Sequence, residues 1–316
     1  MKLLLSFCLA LASFSAASQT YPSRPVRVVV GFAPGGGVDI SARLLAPKLS
    51  EYLGQQFVVE NKPGAGTNIA AAEVAKSAPD GYTLFVNSPA VVINTALYAR
   101  PPYKLSDFTG VSIFASTTNL LVVPAAFEAK TVQDLVRIAK QKPGALNYAS
   151  AGPGTTQHLA GELFKLRTGT NIVHIPYKGS GPSMAALLAG DVQLSFINPV
   201  AVGAHVQGGR LRALAVADSK RTELMPHVPT MKEAGVDGVE VSLWYGLLAP
   251  AATPREIVNT LAGAVARATR DPAVREQLRK QGADPVGNTP GEFNAYLREE
   301  LVRWSEVVKV SGAKVE

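Results

Sequence analysis

Cysteine is nearly missing from this chain. The one present, Cys8, lies in an apolar N-terminal stretch, so the remainder can form no disulfide, thiolate metal site or thiol nucleophile. Histidine is scarce too. His158, His174, His205 and His227 stand far apart without metal-ligand spacing. Charged residues make up 17% of the chain, and the net charge is +7. Acids and bases interleave, as in "REQLRKQGADP" from Arg275 to Pro285. No basic cluster with interspersed aromatics occurs, which argues against a nucleic-acid partner. No apolar run reaches the roughly 20 residues that a bilayer-spanning helix needs. The phosphate loop G-x-x-x-x-G-K-[ST] is absent, and "GAGTNI" and "GPGTTQ" both lack the last glycine of G-x-G-x-x-G. The nucleophile elbow G-x-S-x-G is missing as well.

What is present begins with Met1-Lys2, an apolar stretch from Leu3 to Phe14, and the small residues Ser15, Ala16, Ala17 and Ser18. That is the layout of a secretory signal peptide, here residues 1–17. It predicts an exported protein. Beyond it, strand-like and helix-like stretches alternate. Val26–Phe32, Gln56–Asn61 and Tyr82–Asn87 read as strands buried on both faces. "LNYAS", "NIVHIPY", "VQLSFIN" and "LRALAV" continue the series, with helical patterns between them. The alternation predicts mostly parallel sheet with helices on both faces. Pro47 predicts a break or kink in its helix. Helix starts are marked by Thr131 with Asp134, by a capping box at Thr253 to Glu256, by Asp271-Pro272 and by Thr289 to Glu292.

Two apolar segments, Gly110–Pro124 and Val239–Pro250, are too long for ordinary connections and flank the middle series. They predict two α/β lobes joined by two crossing segments. Residues 18–118 and 243–316 would form one lobe, and 119–242 the other. Ligands of open α/β sheets sit outside the carboxyl ends of the strands, which points to the cleft between the lobes.

Three glycine-rich turns lie between a strand and a helix: Ala33 to Gly37, Gly152 to Thr156 and Gly179 to Ser183. Each exposes backbone N–H groups at a helix start, where an anion is favoured. Thr155, Thr156 and Ser180 add hydroxyls. Taken singly, each turn could be tight packing alone; three in one topological position favour a ligand. No lysine or arginine lies inside any of them, although Lys178 borders the third. Phosphates recruit such side chains, whereas a carboxylate can be held by N–H and hydroxyl donors. Asp39 either meets a donor on the ligand or caps its own helix. Trp244 and Tyr245 serve as interlobe core, as a wall of the cleft, or as both.

These blocks resemble the Bug receptor family, the periplasmic substrate-binding proteins of tripartite tricarboxylate transporters. The likeness runs through the P-G-G-x-x-D turn at Pro34 to Asp39, "LNYASAGPGTTQHLAGELFK", "HIPYKGSGPSMAALLAGDVQLSF", "LRALAVADSKR", "VPTMKEAG" and "WYGLLAPAATP". It implies an α/β, two-lobed, periplasmic-binding-protein-like (Venus flytrap) fold with two crossing hinge strands and the ligand cleft between the lobes. It further implies a monomeric periplasmic receptor, without enzymatic activity, cofactor or metal. Such a receptor would trap a small carboxylate and deliver it to membrane subunits. Carried over, the gripping positions are Phe32, Ala33, Pro34, Gly35, Gly36, Asp39, Ser88, Gly154, Thr155, Thr156, Gln157 and Tyr177 to Gly179, with Phe32 and Trp244 as walls. Many relatives carry an acid where Ile197 precedes Asn198 here, which makes an acidic amino acid a poorer candidate than a plainer carboxylate. Asn198 remains a candidate contact. Two rivals stand beside this reading. One is an exported enzyme, for which Asp39 with His158 is the sole acid–base candidate. The other is a receptor that presents its ligand to a sensor kinase.

Overall fold

The structure, a computed structural model, describes residues 21–313 and residue 315. Cys8 and the signal peptide read at residues 1–17 lie outside them. In chain order the elements are β1 (Val26–Val30), α1 (Gly37–Leu53), β2 (Phe57–Asn61), α2 (Asn68–Ala75), β3 (Thr83–Asn87), α3 (Ala90–Leu97), β4 (Phe108–Thr117), β5 (Leu120–Pro124), α4 (Val132–Gln141) and β6 (Asn147–Ser150). There follow α5 (Thr156–Thr168), β7 (Val173–Pro176), α6 (Ser180–Ala189), β8 (Leu194–Ile197), α7 (Pro199–Gln207), β9 (Leu211–Val216), β10 (Leu243–Pro250), α8 (Arg255–Arg270), α9 (Pro272–Lys280), β11 (Asp284–Pro285) and α10 (Pro290–Ser311).

The strands form two sheets, ordered β11-β4-β10-β3-β1-β2 and β7-β6-β8-β5-β9. Each is the heart of one lobe of a two-lobed, periplasmic-binding-protein-like α/β fold. The sheets are mixed rather than mostly parallel. β1 pairs in parallel with β2 and β3, and β6 with β7 and β8. β10 runs antiparallel to β3 and β4, and β5 antiparallel to β8 and β9. The cause is the crossing itself, since β4, β5, β9 and β10 carry the chain between the lobes and lie against strands that end in helix turns. The two crossings touch: the Ala217 N–H donates to the Asn119 carbonyl and the Val241 N–H to the Ala217 carbonyl, each at 2.8 Å.

Local sequence signals mostly act as chemistry requires. Thr131 and Thr289 cap α4 and α10 in reciprocal boxes with Asp134 and Glu292, and Asp271 caps α9. Two signals fail. α1 runs unbroken through Pro47. Losing one helical hydrogen bond there costs about 3 kcal/mol, but the stripe of Val38, Ala42, Leu45 and Leu49 stays buried, each large side chain contributing about 1.5–3 kcal/mol. At Thr253 no box forms. Its hydroxyl donates instead to the Pro250 carbonyl at 2.7 Å, and α8 starts one residue later, after Pro254.

α10 packs against α3 and β4 of its own lobe and against α5 of the other. Its Glu300 is 1% exposed. That carboxylate accepts from the Trp244 indole at 3.0 Å, the Trp304 indole at 2.7 Å and Arg303 at 3.0 Å. Crossing strand β10 is thereby fastened to the C-terminal helix.

Candidate functional site

The turns that follow β1, β3, β6, β7 and β8 meet between the lobes and enclose one pocket. From the first lobe come Phe32, Gly36, Gly37, Val38, Ser88, Leu243 and Tyr245; from the second, Ala151, Thr155, Thr156, Gln157, Ser180 and Asn198. No lining side chain is charged. The first N–H groups of α1, α5 and α6 belong to these turns, and a helix start carries roughly half a positive charge. The site is therefore electropositive without a cation. Its free interior is very small, with room for a single water. A larger guest enters only if the lobes part.

The polar side chains divide into those already engaged and those left open. Thr155 is engaged: its hydroxyl donates to the Gly152 carbonyl at 2.7 Å and accepts the His158 N–H at 3.3 Å. Asn198 caps α7, its Oδ1 accepting the Ala201 N–H at 3.0 Å, which leaves its amide nitrogen for the pocket. Gln157 donates to Ser180 Oγ at 2.7 Å, but its Oε1 is buried without a partner. The Tyr245 hydroxyl is also buried and unpartnered. Burial pushes that phenol far above its ordinary range, so it remains an O–H donor. Gly37 makes this geometry possible, since a Cβ there would collide with the Tyr245 hydroxyl and Asn198 Oδ1.

Around the pocket the lobes meet backbone to backbone. The Ala33 N–H donates across the gap to the Lys178 carbonyl at 2.9 Å. Gly35 faces Gly181, Gly36 faces Ser180, Gly66 faces Gly152 and Pro153, and Gly179 faces Ala33. A Cβ at Gly66, Gly179 or Gly181 would press on main chain of the opposite lobe.

The profile of the family described as "Tripartite tricarboxylate transporter family receptor" matches residues 41–313. The chain belongs to this receptor family. It is 40% identical to Protein BugT of Bordetella pertussis over 302 residues, 95% of this chain and 93% of BugT. It is similar to an R. palustris protein solved with adipate, at 40% identity and TM-score 0.90, covering 93% of this chain and all of that one. It is similar also to MatC from Rhodopseudomonas palustris with bound malate, at 34% identity and TM-score 0.88, covering 91% of this chain and all of MatC.

In this family receptor, seven of the positions expected from the sequence line the pocket: Phe32, Gly36, Ser88, Thr155, Thr156, Gln157 and Asn198. Others surround it. Ala33, Pro34, Gly35 and Gly179 lie in the interlobe seam. Gly154 sits just behind, giving its N–H to His158 Nδ1 at 3.3 Å. Tyr177 and Lys178 line a neighbouring cavity with Gly64 to Thr67. Two of the expected positions lie outside this pocket. Asp39 does not enter the pocket. Its carboxylate accepts from the Gly35 N–H at 3.0 Å, Arg43 at 2.9 Å and Asn61 at 2.8 Å, so it braces the glycine turn from behind. With Asp39 held there and His158 Nδ1 taken by Gly154, the two form no acid–base pair. Trp244 also points away. Neighbouring strand residues face opposite sides, so Leu243 and Tyr245 take the pocket while Trp244 packs edge-on against Phe293 and bonds Glu300. It lines a separate, larger cavity on the far side of β10. The charged lining of that cavity, Lys220, Arg221 and Arg279 with Asp218, Glu223, Asp284, Glu292 and Glu299, has both signs and gives no preference for an anion. Gly37 belongs to the first glycine turn and Tyr245 was offered as a cleft wall, whereas Val38, Ala151 and Leu243 are not named by the sequence reading. The alternation of β10 is the available signal for Leu243.

Proposed function

We propose that this protein is a periplasmic solute receptor. It captures a small carboxylate between its lobes and hands it to the membrane subunits of a tripartite tricarboxylate-type transporter. Residues 18–118 and 243–316 act as one closing body and 119–242 as the other, and the receptor works as a monomer without catalysis. One observation carries the reading: helix starts from both lobes converge on one pocket that has neutral donors and no charged side chain. A carboxylate would accept from α1 on one side, from α5 and α6 on the other, and from Thr156, Asn198 and Tyr245. The lobes close because the ligand makes more contacts in the closed form than in the open one. Adipate and malate, held by relatives of known structure, are the first candidates.

Isothermal titration of the mature protein against adipate, malate, citrate and benzoate, with adipamide as neutral control, tests this. At least one carboxylate should bind and adipamide should not. Binding of neutral solutes alone would refute the reading.

A further inference from the structure

Two of the chain's four histidines stack behind the turn that brings Thr155 to Gln157 to the pocket. The His158 and His174 rings lie 4.3 Å apart at 19°, and the Tyr148 ring continues the stack 4.7 Å beyond His174. Each imidazole ends on the turn. His158 Nδ1 accepts the Gly154 N–H at 3.3 Å. His174 Nε2 pairs with Ser150 Oγ at 2.7 Å, and that oxygen accepts the Gly152 N–H at 3.1 Å. Gly152 and Gly154 both have positive φ, 124° and 70°. A turn with two such residues has no conformational preference of its own to hold it; the Gly154 N–H finds its side-chain acceptor in His158, and the Gly152 N–H in the Ser150 hydroxyl that pairs with His174.

We propose that His158 and His174 are positioning residues: as neutral stacked rings they fix the Gly152–Gly154 turn, and through it the aim of the α5 N-terminus and of Thr156 and Gln157 at the ligand. The proposal rests on the reading that this pocket holds the ligand. An imidazole that accepts at Nδ1 must carry its proton at Nε2, so the geometry assigns the Nε2–H form to His158. Both rings must be neutral for the stack to persist, since two imidazolium ions in contact repel. Burial secures this, lowering His158 to about 4 and His174 to about 3. The titratable groups facing the pair are Glu162 and Lys165 on α5 and Tyr148 on β6. Glu162, which accepts from the Tyr148 hydroxyl at 2.6 Å and from Lys165 at 2.9 Å, favours the protonated His158 ring, but burial outweighs it.

The test compares His158→Leu, which removes the acceptor, with His158→Asn, whose Oδ1 falls near the position of Nδ1. Ser150→Ala removes only the hydroxyl link to Gly152. Adipate and malate affinities are read by titration. Gly152 and Gly154 amide exchange and the His158 tautomer are read by nitrogen-15 NMR without ligand. In the wild type, NMR should show His158 protonated at Nε2. His158→Leu should lose about five- to tenfold in affinity, the value of one ordinary hydrogen bond, and a similar factor in Gly154 protection. His158→Asn should recover both to within about threefold, and Ser150→Ala should lose protection at Gly152. Wild-type affinity in His158→Leu, equal losses in the Leu and Asn variants, or a proton on Nδ1 in the wild type would each overturn the proposal. If His158→Leu does not fold, the tautomer and Ser150→Ala decide it. If the wild type binds no carboxylate, the receptor reading fails while the NMR arm still judges the role of the histidines.

Discussion

Gly181 offers the sharpest handle on lobe closure. It is the second residue of α6, outside the pocket lining, and its backbone has no positive φ. A methyl group there would press on the Pro34 carbonyl oxygen of the opposite lobe, well inside van der Waals contact, with the Gly35 carbonyl carbon 3.4 Å away. The obstruction exists only when the lobes are shut. Relieving an overpacked contact of this size costs about 1–3 kcal/mol, and the whole cost falls on the closed state. Ligand affinity should therefore drop by about 5- to 150-fold, at roughly 1.4 kcal/mol per factor of ten. Stability should move the other way or not at all, since alanine is the better helix former by up to about 1 kcal/mol. Gly263→Ala is the matched control. It lies exposed in α8 with no atom within 4 Å of the added carbon, so it should gain helix stability and leave binding unchanged. Titration calorimetry with adipate and thermal melts of both variants give the readout. Wild-type affinity in Gly181→Ala would refute the claim that the seam must shut around the ligand.

Other expectations follow from single groups. Tyr245→Phe removes an unpartnered buried hydroxyl, so urea melts should show equal or higher stability. Affinity should nonetheless fall about tenfold or more, because a hydrogen bond to a charged group contributes about 1.5–3 kcal/mol. Glu300→Ala strands two indole N–H groups and Arg303 and should cost about 3–5 kcal/mol in urea unfolding. His158 and His174 make stability fall with acidity. Above pH 6.5 both are neutral whether the chain is folded or not. Below it the unfolded chain takes up protons that the folded one refuses until about 4 and about 3. At about 1.4 kcal/mol per unit for each group, the loss between pH 7.5 and 5 should reach about 2–4 kcal/mol. His158→Asn should remove about half of this dependence in denaturant titrations at the two pH values.

Much of this architecture was readable because burial leaves a mark on composition. Val28 to Val30 in β1 and Leu84 to Val86 in β3 are unbroken apolar runs, and both are covered on both sides. The glycine turns were visible because glycine adopts without strain the positive φ found at Gly35, Gly152 and Gly154. What stayed hidden depends on contacts distant in sequence. Strand direction in β5 and β10 follows from how the chain passes between lobes, and residue order does not encode it locally. Asp39 could have faced a ligand; that it braces Gly35 depends on Arg43 and Asn61 arriving from the other side. Trp244 and Tyr245 are both large and aromatic, so size could not rank them. Only the phase of the strand, fixed by Phe293 and Glu300 on its far face, decides which one meets the pocket.

The meeting of Ala33, Gly35 and Gly36 with Lys178, Ser180 and Gly181 is made almost wholly of main chain. Main chain is the one part of a protein that amino-acid replacement elsewhere cannot rewrite. The jaws of this molecule and its palate are thus under separate control. On the proposed reading, exchanging Tyr245, Asn198 or Phe32 would alter what is tasted without altering how the bite is made, so one rim could serve a series of different cargoes.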